Sequence, residues 1–293
     1  MSSWMRSSVS NDCVPRNRIL PLTVRPLVSV VLRSGLGNRL FQILAGLGYA
    51  ERTGKQFVFF EKQMLENYHT GPKLTKSILL AIFPQIKVYR SHVDWSHYHE
   101  DALEFYDDKI IPNMDGSVLL HGFFQNFAHF PISYRKFFKI PKPEFCNFDT
   151  SKIIWANTYF IHYRKGDYVD SDYDVVNNVY YKKAVEQIMD MSKDCAKFLI
   201  FSDQPDKIKY EDNLINCGLL EEAITIMPSS VNVWESLYLM SQCAGAICAN
   251  STFSWFGAYA QQRDGPIFMP SVWKKGFVKN PVPEWAIQIE TDD

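Results

Sequence analysis

Short apolar runs rich in β-branched residues alternate with segments of helical spacing along most of this chain, and this alternation restricts its fold more than any other feature. Strands that alternate with helices form parallel sheets joined by right-handed crossovers, so the sequence predicts an α/β protein. The predicted strands are 27–32, 56–60, 86–89, 117–121, 158–163, 197–201, 223–227, 244–248 and 266–269. The predicted helices are 38–51, 73–83, 178–192, 231–242 and 254–262, with weak helical spacing over 130–138.

A proline-containing segment interrupts the alternation near the middle of the chain. Two prolines break both the helical and the strand period between residues 139 and 147, and the alternation then restarts. We therefore predict a linker over 141–156 between two doubly wound, Rossmann-like domains, 27–140 and 157–293, that face a cleft. Residues 1–26 lack the apolar core of a secretory signal and are expected to form a disordered tail.

The charge balance argues against one large class of partners. The chain carries 31 Lys and Arg against 32 Asp and Glu, a formal net charge of −1. A near-neutral chain is poorly suited to neutralising phosphates along a duplex, so no nucleic-acid partner is expected. Aromatic residues reach 15% of the chain, and their faces suit stacking against sugars or bases as well as core packing.

Two further observations bear on location. No stretch of about 18 consecutive apolar residues occurs, so no membrane-spanning helix is expected. The cysteines form no Cys-x-x-Cys pair and most of them lie among apolar neighbours, which is typical of free thiols in a reducing compartment. The expected location is therefore the cytoplasm.

A glycine-rich turn joins the first predicted strand to the first helix. Glycines let the backbone approach a ligand closely, and a helix N-terminus offers free N–H groups to an anion. Leu40 stands where a dinucleotide fingerprint has its third glycine, and no Gly-Lys-Ser/Thr follows, so neither that motif nor a Walker loop is present. The candidate ligand-binding residues of this turn are Gly35, Gly37, Asn38 and Arg39. A tight turn without a ligand is the alternative.

A charged cluster lies at the carboxyl end of the predicted strand 158–163, where open α/β sheets bind ligands. It consists of His162, Arg164, Lys165 and Asp167. A guanidinium fork matches phosphate oxygens, a lysine adds a point charge, and the aspartate can hold one cation in place, which together point to a bound diphosphate. A structural Arg–Asp ion pair explains these residues equally well.

Small polar residues follow the predicted strand 244–248 and precede a helix. They are Asn250, Ser251, Thr252 and Ser254, with Phe253 between them. Their side chains and the helix N–H groups form a second candidate anion cradle, and an ordinary helix N-cap is the alternative. Asn250 also begins an N-glycosylation sequon, which we discount because it lies at a strand end.

No standard metal site is found in the sequence. An acidic group resembles the Asp-x-Asp pair of some sugar transferases, but we expect it to be a solvated loop. A histidine-rich group fits no zinc spacing, and we assign it to a surface loop near the acceptor. The acidic group is Asp170, Asp172 and Asp174, and the second group is His92, Asp94, His97 and His99. No metal is therefore predicted.

Four segments, taken in order, resemble the motifs of a known enzyme family. They are Gly-Leu-Gly-Asn-Arg-Leu-Phe-Gln at 35–42, His-Tyr-Arg-Lys-Gly-Asp-Tyr-Val at 162–169, Phe-Ser-Asp at 201–203 and Ala-Asn-Ser-Thr-Phe-Ser-Trp-Phe-Gly-Ala-Tyr at 249–259. Together they resemble the α-1,2-fucosyltransferases of glycosyltransferase family 11, and His-Gly-Phe-Phe-Gln at 121–125 is similar to a further family segment. The resemblance covers most of the chain after residue 27 and is to the soluble bacterial or viral members.

This resemblance implies a GT-B fold and an inverting transfer of L-fucose from GDP-fucose that needs neither a metal nor a cofactor. It implies that Arg164 contacts the donor diphosphate, which makes Arg164 the candidate catalytic residue. His162 matches a histidine near the guanine, Asp203 matches an aspartate near the donor pocket, and residues 250–254 match the segment that closes over the phosphates.

The resemblance also implies an oligosaccharide acceptor, with the 2-OH of a galactose or a similar sugar as the expected target. We place the acceptor against the first domain near Asn38, with His121 and Gln125 as its candidate binding residues. The aromatic side chains expected to offer stacking faces there are Phe123, Phe124 and Trp95. Three candidates for the general base stay open: Asp167, Glu61 and His121.

Two positions depart from the family pattern. Lys165 stands where a second arginine is usual, which keeps the charge and loses the guanidinium fork. Ser236, with Glu235 beside it, stands where an aspartate usually helps to recognise guanine. A transferase for another GDP-sugar and a catalytically inactive module that binds a glycan or a nucleotide therefore remain as alternatives.

Overall fold

Two parallel β-sheets, one from each half of the chain, form the framework of the protein. The computed structural model describes residues 25–64, 72–101, 109–192, 195–208, 221–277 and 280–291. The parallel sheets and their connecting helices confirm the predicted α/β class. The expected tail lies outside the described residues except for its last two positions.

The first half contains a four-stranded sheet. Its strands and those of an adjoining two-stranded pair are β1 (Leu27–Val30), β2 (Gln56–Phe57), β3 (Phe59–Phe60), β4 (Val88–Tyr89), β5 (Trp95–His99) and β6 (Ser117–His121). The helices are α1 (Leu36–Thr53), α2 (Glu61–Met64) and α3 (Pro72–Ile82). The strand order is β2-β1-β6-β5, β3 pairs with β4, and all of these pairings are parallel.

Helix α1 is buried along most of its length because it packs between this sheet and the second half of the chain. Gly35 caps its N-terminus, and Gly54 ends it with a left-handed φ of 69°. Gly46 allows the helix to approach the sheet, since a Cβ at that position would lie 2.8 Å from Cγ1 of Val30. The predicted helix 38–51 is confirmed and extends two residues further at each end.

The second half contains a six-stranded parallel sheet. Its strands are β7 (Thr158–Tyr163), β8 (Lys197–Ser202), β9 (Ile224–Ile226), β10 (Ala246–Ile247), β11 (Ile267–Pro270) and β12 (Ile287–Ile289). Its helices are α4 (Asn178–Ser192), α5 (Val233–Gln242) and α6 (Thr252–Tyr259). The order is β12-β11-β10-β7-β8-β9, which places β7, with the charged motif at its end, inside the sheet.

The segment between the two sheets is held against the second half by hydrogen bonds. Nε1 of Trp234 donates to the carbonyl of Pro141 at 2.9 Å. The backbone N–H of Phe148 donates to Oε1 of Glu235, a fully buried carboxylate, at 2.8 Å. Both contacts fix the chain to α5, so this segment follows a defined path. The exact domain boundaries stay a prediction.

An aromatic cluster joins the two halves. The ring of Phe41 in α1 lies 4.7 Å from the ring of Trp255 and 4.9 Å from that of Phe256, both in α6. Phe130 and Phe138 extend the same cluster toward Tyr259 and Phe256. Each such pair contributes about 0.5–1.5 kcal/mol beyond its buried area. Much of the aromatic content is therefore core, and these contacts fix the two sheets relative to each other.

Some expected elements differ from the observed ones. Trp95–His99 was expected to be a loop, because its polar residues give no apolar period, yet it forms the edge strand β5 on β6. Strand β12 was not predicted. The expected run 56–60 breaks at Val58 into two strands, and 130–138 contains only the short 3-10 turn Tyr134–Lys136.

The sequence predicts no membrane-spanning helix. Among the helices that the structure describes, none combines the length and the apolarity needed to cross a bilayer.

Candidate active site

A cavity of about 610 Å³ lies where the two halves meet, beside the carboxyl ends of β7 and β8 and the N-termini of α1 and α6. It lies where parallel α/β sheets generally bind ligands. The sequence-predicted residues among its lining are Gly35, Gly37, Asn38, Gln125, His162, Arg164, Asp167, Asp203, Ser251, Thr252 and Phe253.

The N-termini of α1 and α6 meet at this cavity. A Cβ on Gly37 would overlap the carbonyl carbon of Thr252 and lie 2.6 Å from the backbone nitrogen of Phe253. Ser251 caps α6, with its side chain accepting from the N–H of Phe253. Helix N-termini carry a partial positive charge and unpaired N–H groups. Two of them side by side favour a negatively charged ligand.

Arg164 is held at the cavity by two carboxylates and an aromatic ring. Its Nη2 donates to Oδ1 of Asp167 at 2.6 Å, and its Nε lies 3.8 Å from Oδ2 of Asp203. The guanidinium carbon lies 4.8 Å from the ring centroid of Tyr168. Nε is buried and makes no hydrogen bond among the described residues. The side chain of Arg164 is thus held in one orientation, and its Nε–H still lacks a hydrogen-bond acceptor within the described part of the chain.

His162 places a neutral imidazole beside Arg164. Burial, with the nearby Arg164 charge, lowers the pKa of His162 to about 3. Its carbonyl accepts from the hydroxyl of Tyr181 at 2.9 Å, while Nδ1 is buried without a hydrogen-bond partner in the part of the chain that the structure describes. A buried polar atom left unpaired is costly. His162 lines the cavity, and its Nδ1 has a hydrogen-bonding capacity that no described residue uses.

Lys165 lies outside the lining of this cavity. Its Nζ donates to Oδ1 of Asp174 at 3.0 Å and to the carbonyl of Val176 at 2.9 Å, and it lines a second cavity of about 710 Å³. The expectation that Lys165 adds charge beside the phosphates therefore does not match its position. Its side chain turns away because Asp174 and a backbone carbonyl satisfy the ammonium group.

Three other candidate donor residues lie behind the lining. Nδ2 of Asn250 donates to the carbonyls of Tyr173 and Trp273 at 2.9 and 2.8 Å, so this side chain ties two loops together. Ser254 is fully buried, and Nε of Arg39 donates to the carbonyl of Ser34 at 3.0 Å. These contacts shape the cavity from the protein side.

The acceptor-side candidates occupy two different places. Nε2 of Gln125 donates to Oδ1 of Asn38 at 2.6 Å, so both lie at the cavity. His121 lies outside the lining and groups with His97 and His99 on the first sheet. The pKa of His121 is lowered to about 4, mainly by burial and further by the nearby His99, His97 and Arg33.

Residues 41–287 match the family model described as "Glycosyl transferase family 11", which covers most of the chain. The chain belongs to glycosyl transferase family 11. It is therefore a glycosyltransferase, and the family resemblance of its motifs is confirmed.

Two curated proteins of Escherichia coli are similar to this family 11 chain. An alpha-1,2-colitosyltransferase is 28% identical over 295 residues, which cover 90% of this chain and 99% of that protein. The O-antigen biosynthesis glycosyltransferase WbnK is 30% identical over 129 residues, 41% of this chain and 40% of WbnK. Among solved structures, NodZ alpha-1,6-fucosyltransferase soaked with GDP-fucose is 12% identical, with a TM-score of 0.46 over 81% of this chain and 93% of NodZ.

The three candidate bases of this family 11 glycosyltransferase differ in position. Glu61 bonds to Arg90 and Lys76, whose hydrogen bonds lower its pKa to about 2, and it is not among the cavity-lining residues. Asp167 lines the cavity but is bonded to Arg164. Of Glu61, Asp167 and His121, Asp167 alone is among the lining residues.

Two functional residues were missed from the sequence. The carboxylate of Glu100 accepts from the N–H groups of Phe123 and Phe124 at 2.6 and 2.9 Å and so fixes the loop that carries Gln125. Tyr168 supports the Arg164 guanidinium, as described above. The signal for Tyr168 lay inside the motif at 162–169, whereas Glu100 follows a strand that the sequence did not reveal.

Ser236 lines the cavity, as its family position implies, but the neighbouring carboxylate does not. Glu235 is fully buried and bonds to the backbone of Phe148. Helix α5 of this family 11 enzyme therefore presents a hydroxyl to the cavity where an acidic side chain is usual.

Proposed function

We propose that this family 11 glycosyltransferase transfers L-fucose from GDP-fucose, with inversion at the anomeric carbon, to a hydroxyl of a glycan acceptor such as the 2-OH of a galactose. The observation that carries the proposal is the position of Arg164. Its guanidinium lies at the cavity between Asp167 and Asp203, next to two helix N-termini.

The chemistry requires such a group. Breaking the bond between the anomeric carbon and the phosphate oxygen leaves negative charge on the diphosphate, and the protein must stabilise that charge. Arg164 and the N-termini of α1 and α6 would do so. The ion pair of Arg164 with Asp167, an aspartate with 64% of its side chain exposed, contributes only about 0–1 kcal/mol. A phosphate oxygen can therefore replace the carboxylate at little cost.

The proposal needs neither a metal nor a cofactor at the phosphates. Two of the three acidic residues that resemble an Asp-x-Asp pair are matched with lysines: Asp174 lies 3.0 Å from Nζ of Lys165, and Asp172 lies 3.8 Å from Nζ of Lys274. Carboxylates held by ammonium groups are poor ligands for a divalent cation. Arg164 would supply the positive charge that a metal supplies in other transferases.

The acceptor would enter from the first half of the chain. Its hydroxyl oxygen attacks the anomeric carbon on the side opposite to the phosphate, and its proton leaves as the new bond forms. The hydrogen-bonded pair of Gln125 and Asn38 lies at the cavity and offers amide groups to acceptor hydroxyls. Of the three candidate bases, Asp167 alone is among the lining residues, but its bond to Arg164 places it beside the proposed leaving group, so the proposal assigns no base.

A second candidate is transfer of colitose. The E. coli alpha-1,2-colitosyltransferase is similar over 90% of this chain. In addition, Ser236 lines the cavity where α-1,2-fucosyltransferases usually carry an aspartate, and this replacement would change how the guanine of the donor is recognised. The sugar is therefore to be tested together with the nucleotide.

The deciding experiment is a donor and acceptor panel. Purified protein is incubated in EDTA with GDP-fucose, a colitose donor or other GDP-sugars, and with galactose-ended glycans, and products are identified by mass spectrometry. A fucosylated product in EDTA supports the proposal. If product forms only with another donor, the sugar of that donor takes the place of fucose in the proposal. If product forms only after a divalent cation is added, metal independence is wrong.

Calorimetry separates an enzyme from an inactive binding module. A module would bind a glycan or a nucleotide without releasing GDP. Wild-type protein that binds GDP-fucose and glycan but never releases GDP, across the whole panel, would overturn the assignment of a transferase activity.

A further inference from the structure

Three histidines come together on the first sheet, away from the donor cavity. His97 and His99 are two positions apart on β5, so their side chains point to the same face of the strand. His121 pairs with His99 in the register between β5 and β6. Neighbouring strands lie about 4.7–4.9 Å apart in the hydrogen-bonding direction. The strand pairing thus gathers three imidazoles at one place.

The distances between these rings are short. Nδ1 of His97 lies 2.8 Å from Nε2 of His121. The ring centroids of His99 and His121 are 4.2 Å apart, and each of the three residues offers a nitrogen within 4.8 Å of the other two. Zinc binds imidazole nitrogen at about 2.0–2.1 Å, which puts tetrahedral ligands about 3.3 Å apart. The observed separations, 2.8 Å for one pair and within 4.8 Å for all three, lie on both sides of that spacing, and the side chains of His97 and His99 are exposed.

Other partners do not account for the cluster. Among the described ion pairs, the only histidine is His92, which lies 3.7 Å from Asp94 in the preceding loop. Nδ1 of His121 is buried and makes no hydrogen bond within the described residues. The 2.8 Å contact between Nδ1 of His97 and Nε2 of His121 is a hydrogen bond between the two imidazoles, and a metal ion would replace it by binding both nitrogens. Together with a nitrogen of His99 they form the donor set that zinc and similar dications prefer.

We infer that His97, His99 and His121 form a binding site for one borderline transition-metal dication, such as Zn²⁺. The ion would join the edge strand β5 to β6 and leave one coordination position open to water or to an acceptor oxygen. His97, His99 and His121 all lie outside the lining of the donor cavity, so the site is separate from the proposed diphosphate region. It is therefore compatible with metal-independent chemistry at the donor.

The test uses full-length protein without an affinity tag, freed of metal with EDTA that is then removed. ZnCl₂ is titrated by calorimetry and CoCl₂ by visible absorption, which reports tetrahedral coordination. We expect one ion per chain, tetrahedral Co²⁺ bands and a higher unfolding temperature with Zn²⁺. The double variant H97N/H99N should bind Zn²⁺ at least about 100-fold more weakly.

His92→Asn is the matched control, because His92 is exposed and lies outside the cluster. It should bind Zn²⁺ like the wild type. His97 and His99 are exposed, so the metal-free double variant should unfold at the same temperature as the metal-free wild type. That result would show that the variant is folded. Equal Zn²⁺ affinity in H97N/H99N and wild type, or only weak binding of several ions by the wild type, would overturn the inference. Neither result depends on the transfer reaction.

Discussion

Gly37 lies against the backbone of Thr252, so that the first turn of α1 touches the first turn of α6 at the mouth of the cavity. Only a residue without a Cβ permits this approach. The position of one glycine thereby sets the distance between the two helix N-termini that face the proposed diphosphate site.

Replacing Gly37 by Ala should push these helices apart. The added methyl group would overlap backbone atoms, which cannot rotate away, so we expect the free energy of unfolding to fall by about 1–3 kcal/mol. Turnover should fall at least 10-fold as the anion site widens. Urea unfolding and GDP release measure the two effects. Gly35→Ala is the stability control, because a Cβ at Gly35 has no neighbour within 4 Å.

Replacing Arg164 by Ala should lower turnover at least about 100-fold, the usual cost of losing one transition-state donor. Arg164→Lys should recover only part of the activity, since an ammonium group lacks the planar fork. Initial rates of GDP release measure both variants. Lys182→Ala on α4, a cation outside the cavity lining with 55% of its side chain exposed, is the control and should keep the wild-type rate. A decrease of only a few-fold in folded R164A would remove Arg164 from this role.

Replacing Glu100 by Ala should affect the acceptor more than the donor. The backbone N–H groups of Phe123 and Phe124 would lose their carboxylate, and the loop that carries Gln125 would lose its fixed position. We expect the KM for the acceptor to rise about 10-fold while the Kd for GDP stays unchanged. Steady-state kinetics and calorimetry test the two parts. The exposed Glu144 provides the control variant, Glu144→Ala. A matching loss of GDP affinity in E100A would contradict this role.

The buried His162 should make the protein sensitive to acid. Its pKa is about 3 in the folded protein against an ordinary value of 6.5, so between these pH values the unfolded chain binds a proton that the folded chain does not. The free energy of unfolding should therefore fall as the pH falls from 6.5, by at most about 1.4 kcal/mol per pH unit from this group. The free energy of unfolding, measured with urea at several pH values from 7.5 to about 4, should depend less steeply on pH in His162→Gln than in the wild type. Equal slopes would contradict the prediction.

The buried parts of the fold were predictable because burial leaves a period in the sequence. The strand 158–163 and the helix 178–192 match the observed β7 and α4 residue for residue. Edge strand β5 was missed because its exposed face carries His97 and His99, which read as loop residues. An edge strand needs one paired side only, so its sequence carries a weaker signal.

The site was predictable as far as backbone position decides it. Of the glycines and small polar residues singled out at strand ends, Gly35, Gly37, Ser251 and Thr252 line one cavity, since topology brings those ends together, whereas Asn250 and Ser254 lie behind it. The direction of a long side chain was not predictable. Lys165 follows Arg164 directly, yet Asp174 draws its ammonium group into another cavity. The direction of such a side chain depends on which charged groups and carbonyls the fold places beside it, and the sequence does not show these.

The packing of Phe41 against both Trp255 and Phe256 has a consequence for how such enzymes can be recombined. A chimera that joined the first half of this chain to the second half of a relative would bring together aromatic residues that do not match where the two halves meet. Exchange of acceptor specificity between relatives would then require the aromatic residues on both sides to be transplanted together with the loops that contact sugar.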